Sequence, residues 1–199
     1  MPTDARQSRR RQSHERILDA AARALFRGGV AGVGVAEVMR QAGLTHGGFY
    51  AHFPSRDALL AEALEHAGRR SAEQTRERMQ ARIRAGLTPL RALIEEYLSE
   101  PHMDDTDAGC PVAALAAELT RSTPVLREVS ARHVRALVAL VRQALAPEQR
   151  LEDAAVIAAT MAGALQLARA LGRDQGGLAV LQDCRASLIA RYDGLPSPS

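Results

Sequence analysis

The chain of 199 residues is predicted to be all-helical, with about nine helices in two unequal groups. Three observations carry that prediction. Alanine and leucine dominate the composition while aromatic residues make up only 3%, so few side chains favour a pleated sheet. Apolar residues recur at helical spacing along most of the length, and no stretch of useful length alternates as a strand does. Glycine and proline fall where helices would end or begin rather than inside them.

Residues 1–12 read as a flexible basic arm. From Ser13, Ile17, Leu18, Ala21, Ala24 and Leu25 share one side of a helix that stops at Gly28-Gly29, since glycine terminates helices readily. A short helix follows over 35–42, with Val35, Val38 and Met39 on its inner face. Gly43 breaks it and Leu44 lies in the turn. Thr45 is placed to cap the next short helix, 46–53, which Pro54 ends. Ser55 is placed to cap a long helix over 56–84, and Asp57 in its first turn suits the helix dipole. Thr88-Pro89 and Thr123-Pro124 each set a hydroxyl before a proline at the first helical position, predicting helices over 89–99 and 124–145. Between them lie an acidic loop, 101–109, and a short helix over 111–119. A helix over 148–171, a turn over 172–177, a last helix over 178–192 and a frayed tail over 194–199 complete the chain. The organisation expected is an arm (1–12), a three-helix unit (13–54), a larger helical body (55–193) and the tail.

Charge is distributed unevenly. The net charge is +3, but residues 1–56 hold nine arginines and four acids, a balance of +5, while the rest balances at −2. A basic front end on a mildly acidic body points to a polyanionic partner for the front end. The run Arg9-Arg10-Arg11 also fits a solvated tail, and both readings stand. No apolar run approaches the roughly 20 residues of a membrane span, and the N-terminus lacks the apolar core of a secretory signal. Two cysteines, Cys110 and Cys184, are too few for a disulfide framework. A cytoplasmic location is the expectation. There is no glycine-rich phosphate loop, nucleophile elbow or paired-histidine metal motif, so no enzyme, cofactor or metal is expected. His102, Asp104, Asp105 and Asp107 match no standard metal spacing and read as a solvated acidic loop.

The informative stretch is AEVMRQAGLTHGGFYAHF, residues 36–53. Two short helices joined by a glycine-containing turn, with an apolar residue inside it, form a helix-turn-helix. Phe49 and Phe53, four apart, face the core together, so Tyr50 and His52 project elsewhere, within reach of phosphate oxygens. Phe26, Phe49 and Phe53, the three phenylalanines, all lie in this unit and supply the bulk a small core needs.

Residues 15–64, through ERILDAAARALF, AEVMRQAGLTHGGFYAHF and PSRDALLAEAL, resemble the DNA-binding domain of the tetracycline-repressor (TetR) family. The aromatic pair Phe49-Tyr50, then His52-Phe53, then Arg56-Asp57 stand where the family carries its hallmark. The resemblance implies that Thr45, Tyr50, His52 and Arg56 contact phosphates of double-stranded DNA, while His46, Gly47 and Gly48 lie against base edges. Arg40 and Gln41 are further candidates. The sequence departs from the family pattern at Gly34, a weaker cap than threonine or serine, at Met39 in place of a common alanine, and at Gly47-Gly48. A glycine pair inside a short helix costs about 1 kcal/mol per residue against alanine, which predicts close backbone approach to the groove. It also leaves few side chains for base readout, giving His46 and the N-terminal arginines more of that task.

One reading helix of this size covers only a few base pairs, so a homodimer on two-fold related half-sites is expected. The candidate interface is the last two long helices, with small residues Ala155, Ala159, Ala162 and Gly163 on one and Leu181 and Leu188 on the other. Leu165 and Leu167 fill gaps; an intramolecular core is the alternative for each. The family resemblance places an effector pocket within 89–145, and a largely apolar small molecule suits its composition. Cys110, in DAGCPVAALAAEL, starts a helix whose N-terminus can lower a thiol pKa. It reads either as a thiol that senses electrophiles or oxidants, or as a small apolar residue at a helix start. Repression is the family default for a regulator of this kind.

Overall fold

The computed structural model describes residues 2–145 and 151–193, of which 2–6 and Leu151 are described by backbone alone. The expected start of a helix at 148 and the expected tail lie outside the described residues. Among the described residues there are nine α-helices and three short 3-10 segments, with no strand. They are α1 (Pro2–Gly28), α2 (Val35–Gln41), a 3-10 reading helix (His46–Ala51), α3 (Arg56–Arg84), α4 (Pro89–Tyr97), α5 (Glu100–Asp104), α6 (Pro111–Leu119), α7 (Pro124–Ala144), α8 (Ala154–Leu171) and α9 (Gly177–Tyr192). The remaining 3-10 turns are Leu151–Asp153 and Arg173–Gln175.

Four expectations need correction. The basic arm is helical: α1 runs back to Pro2, because no glycine or proline interrupts the strong helix formers between Ala5 and Arg11. The reading helix is 3-10 rather than α, with the Gly48 N–H bonded to the Thr45 carbonyl at 3.0 Å, as the low helix propensity of Gly47-Gly48 allows. The acidic loop contains a helix, α5, started by the Ser99 hydroxyl, which accepts the His102 N–H at 3.3 Å. Thr123 makes no capping bond; its hydroxyl is buried without a hydrogen-bond partner. The caps at Ser55 and Thr88 are formed, accepting the amides of Ala58 and Arg91 at 3.1 and 3.2 Å.

The described residues form two apolar cores. One gathers Ile17, Leu25, Val38, Met39, Phe49 and Phe53 with Leu59, Leu60 and Leu64 of α3. The other packs α4, α8 and α9 around Leu93, Ile157, Met161 and Leu165. Three helices contribute to both cores. These are α3 (Leu60 and Met79), α6 (Leu119 and Ala113) and α7 (Leu126 and Val141). The reading-head core therefore does not end at Pro54; Leu115, Leu119, Leu126 and Val129 close it from the body side.

Candidate nucleic-acid interface and effector cleft

Gly43, at φ +70°, makes the turn that sends the chain from α2 into the reading helix, a backbone angle costly for other residues. The Leu44 N–H then returns to the Met39 carbonyl at 2.9 Å, and its side chain packs against the reading-head core. Phe49 and Phe53 are buried with ring centroids 5.9 Å apart, and His14 of α1 stacks on Phe53 at 4.6 Å. With both phenylalanines turned inward, the rest of the reading helix faces out. Thr45, His46 and Gly47 are exposed, Gly48 is half-buried, and Tyr50, edge-on to Phe49, is 75% exposed.

The glycine pair has no steric cause within the chain. A Cβ built on Gly47 meets nothing within 4 Å, and one on Gly48 makes ordinary contact with Met39 at 3.7 Å and Thr45 at 3.9 Å. Neither residue has a positive φ. The fold would accept alanine at both positions.

The other candidates are arranged less simply. Arg40 and Gln41 are exposed, but both bind Glu37. The Arg40 Nε and Nη2 donate at 2.8 and 2.6 Å, and Gln41 Nε2 at 2.7 Å, which lowers the Glu37 carboxyl to about 2. His52 is half-buried and its Nδ1 has no hydrogen-bond partner; burial, then His14 and Arg10, push its pKa down, so the ring is neutral. Arg56, expected at a phosphate, instead donates to the carbonyl oxygens of Val33, at 3.1 Å, and Val30. It pins the α1–α2 turn to the start of α3. Arg10 reaches the reading helix, its Nη2 donating to the Ala51 carbonyl at 2.8 Å. Its signal was the uninterrupted run of helix formers around Arg9-Arg10-Arg11.

A second feature lies in the body. A cleft of about 90 Å³ between α3, α6 and α7 is walled by Ala72, Val112 and Leu137 and includes Tyr97, Cys110 and His133. Tyr97 is buried, 3% exposed; its hydroxyl meets no N–H or carbonyl, and its polar neighbour is the Cys110 thiol. Burial first, then that thiol, raise the Tyr97 pKa, so the phenol stays protonated. His133, whose side chain is 12% exposed, lies 3.7 Å from Glu65 Oε2, and burial lowers its pKa. Its ring occupies the place of a side chain at Gly68, where a Cβ would stand 2.9 Å from His133 Cδ2.

Cys110 is held from behind. Its N–H donates to His102 Nε2 at 3.2 Å, His102 Nδ1 donates to the Tyr97 carbonyl at 2.8 Å, and the imidazole meets the Tyr97 ring edge-on at 4.8 Å. That pairing leaves His102 a neutral tautomer, as its burial-lowered pKa requires. Arg169 of α8 holds the loop by donating to the His102 and Asp105 carbonyls at 2.7 and 2.9 Å. His102, expected in a solvated loop, is therefore a half-buried support. Among the described residues, no three His, Cys, Asp or Glu side chains converge as metal ligands.

On α8, Ala155 and Ala159 are exposed and Ala162 and Gly163 half-buried, while Leu181 and Leu188 of α9 are packed in the chain's own core, as is Leu165. The two α9 leucines are thus removed from the candidate interface. The α8 helix is apolar enough by composition to cross a membrane, with a mean hydropathy of 1.5 over 18 residues, but 44% of it is buried within this fold. What it shows outward is Ala155, Val156, Ala159 and Leu167.

A basic helix-turn-helix on a separate helical body defines a DNA-binding transcriptional regulator of the one-chain type. Residues 17–63 match the family described as bacterial regulatory proteins, tetR family, and residues 86–182 match the tetracyclin repressor-like C-terminal domain. An uncharacterised HTH-type transcriptional regulator of Mycobacterium tuberculosis is 31% identical over 166 residues, covering 78% of this chain and 83% of that protein. The chain belongs to the TetR family. Among solved structures, the reduced form of NemR from E. coli has a TM-score of 0.73 at 20% identity, covering 94% of this chain and 98% of that one. A TetR transcriptional regulator from Chloroflexus aurantiacus has a TM-score of 0.70 at 23% identity, covering 92% and 96%.

Proposed function

We propose that this TetR-family regulator is a homodimeric repressor that reads a palindromic operator with its paired His46–Ala51 helices and is released when a small molecule fills the cleft beside Cys110. The observation that carries this reading is the bare backbone at Gly47, exposed and unneeded by the fold, next to the outward Tyr50. Thr45, His46, Gly47, Gly48 and Tyr50 meet the groove and its phosphates directly. Arg40 and Gln41 join them when phosphate competes for the Glu37 pair. His52 and Arg56 shape the reading head from inside, and Arg10 braces its far end. The small and apolar outer face of α8, through Ala155, Ala159, Ala162 and Gly163, supports pairing with a second copy.

The cleft suits a small, largely apolar molecule, since most of its lining is apolar and its Tyr97 and His133 groups are neutral, with Ser71, Thr75 and the cation Arg76 as the other polar groups of the lining. An activated alkene would also bond to Cys110: a sulfur–carbon bond forms, the carbon–carbon π bond breaks, and the thiol proton ends on the adjacent carbon. Either occupant switches the protein only by favouring one spacing of the two reading heads over another.

Sequencing DNA fragments retained by the purified chain tests the reading. A palindromic motif bound about 10³-fold or more tightly than random DNA is expected, and equal affinity for both would refute it. Alkylation with N-ethylmaleimide should release that DNA from the parent and not from Cys110→Ser.

A further inference from the structure

The cleft beside Cys110 is lined by polar groups that the chain itself leaves unused. Tyr97, 3% exposed, sits at its floor; its hydroxyl is buried without a hydrogen-bond partner, and its polar neighbour is the Cys110 thiol, a weak donor and acceptor. Both ring nitrogens of His133 are also buried without a partner, since Glu65 Oε2, at 3.7 Å, lies beyond hydrogen-bond reach. Arg76 stands at the mouth. It is exposed and, among the described residues, makes no hydrogen bond or ion pair. Ser71 and Thr75 add two hydroxyls on the α3 wall. Each of these groups can donate a hydrogen bond, and no Asp or Glu lines the cleft to accept one. A buried hydroxyl left unpaired costs free energy, and one kept at the wall of a cleft is explained by an acceptor that the occupant brings.

Size narrows the occupant further. A closed apolar cavity of about 150 Å³ takes up benzene, so on that scale the 90 Å³ of this cleft encloses about three to four carbons. We infer that the occupant is a short oxo acid, with a carboxylate paired to Arg76 at the mouth, a few carbons along Ala72, Leu137 and Leu140, and a carbonyl oxygen that accepts the Tyr97 O–H at the floor. The inference rests on the cleft-ligand reading above and adds what that ligand carries. A plain hydrocarbon acid leaves Tyr97 unpaired, and a plain ketone leaves Arg76 without a counter-charge. An amine meets the like charge of Arg76 and finds no carboxylate in the lining. The two contacts differ in strength. The bond to Tyr97 forms out of water and selects more sharply, whereas the pairing at Arg76 is exposed and screened by salt.

The test uses the full chain in a Cys184→Ala background, without DNA, and follows the rate at which N-ethylmaleimide adds to Cys110. Three probes of similar size compete: 4-oxopentanoate, pentanoate, which lacks the ketone, and 2-pentanone, which lacks the carboxylate. The concentration of each that halves the rate gives its apparent Kd. 4-Oxopentanoate should protect about 5-fold better than pentanoate, the worth of one hydrogen bond. It should protect about 3-fold better than 2-pentanone at low salt, and this second margin should vanish at about 1 M salt. Tyr97→Phe removes only a hydroxyl that the chain does not use, and Arg76→Gln alters an exposed side chain, so both variants keep the fold. The first margin should disappear in Tyr97→Phe and the second in Arg76→Gln, each variant keeping the other margin. Margins absent from the parent, or unchanged in the variants, would overturn the oxo-acid assignment while leaving a ligand cleft in place. Protection by none of the three probes refutes the cleft-ligand reading beneath it. A chain that selected no operator would fail the DNA-binding reading alone, because this competition contains no DNA.

Discussion

Gly47→Ala separates what the fold needs from what a DNA partner needs. Nothing lies within 4 Å of the added Cβ, and the backbone there is not in the left-handed region, so no clash or strain opposes the methyl group. Glycine in a helix interior is less favourable than alanine by up to about 1 kcal/mol, and removing its freedom from the unfolded chain contributes about 0.4–1 kcal/mol. The folded protein should therefore gain about 0.5–1 kcal/mol, which for a chain of this size raises Tm by about 1–4 °C. Against a DNA groove the same methyl stands where the bare backbone would approach base edges. Losing one such contact costs about 1–3 kcal/mol, or roughly 5- to 150-fold in Kd. Thermal unfolding and competition anisotropy on the selected operator measure the two effects on one sample. Gly29→Ala is the control, since a Cβ there overlaps the Glu118 carboxylate and the residue has a positive φ; it should lose stability instead. Unchanged operator affinity in Gly47→Ala, or a Tm that drops by several degrees, would refute the reasoning.

Three further outcomes follow from the geometry. Glu37→Gln removes the carboxylate that holds Arg40 and takes a negative charge from beside the groove. Operator affinity should rise by about 3- to 10-fold at low salt with a steeper salt dependence, and an unchanged slope would show that Arg40 makes no phosphate contact. His102 and His133 have pKa values lowered chiefly by burial, so the unfolded chain binds protons more readily than the folded one. Their stabilising contribution is complete above about pH 6.5 and is lost as pH falls toward the folded values, by at most about 1.4 kcal/mol per pH unit for each. Urea midpoints between pH 7.5 and 5.5, above the range of Asp19 and Asp107, should fall, and a flat profile would contradict the burial of these rings. Gly68→Ala puts a methyl where the His133 ring lies and should destabilise by about 1–3 kcal/mol while displacing that ring into the cleft; a stable variant with unaltered alkylation rate at Cys110 would count against the geometry.

The parts of the fold that were legible in the sequence are those whose causes are local. The long helix is read correctly over 56–84 because the Ser55 hydroxyl, Asp57 and the spacing of Leu59, Leu60, Ala63 and Leu64 all act within a few turns of each other. The inward pair Phe49 and Phe53 is read correctly from spacing alone. The internal bonds of Arg56 were not legible because its acceptors, Val30 and Val33, lie 26 and 23 residues away and no neighbour in sequence signals them. His102 is misread for the same reason. The acids around it suggest solvent, but Arg169, more than 60 residues later, closes the loop and leaves the residue half-buried.

The α8 and α9 helices show a different limit. Helical spacing identifies an apolar face but not whether the chain's own core or a second copy covers it. Side-chain size alone does not make the choice here: Val156 and Leu167 of α8 are exposed, while Ala154, Ala158, Ala164 and Ala168 are buried in the chain's own core. Leu165, Leu181 and Leu188 yield more free energy per residue when buried, and the intramolecular core takes them. Ala155 and Ala159 are left outside with Val156 and Leu167, and the small size of the alanines permits another helix to approach closely. Ala159→Arg should then convert a dimer to a monomer in sedimentation equilibrium while Tm per chain stays within a few degrees once concentration is accounted for. If Ala159→Arg remained dimeric, the α8 face would have to give up its role to another surface.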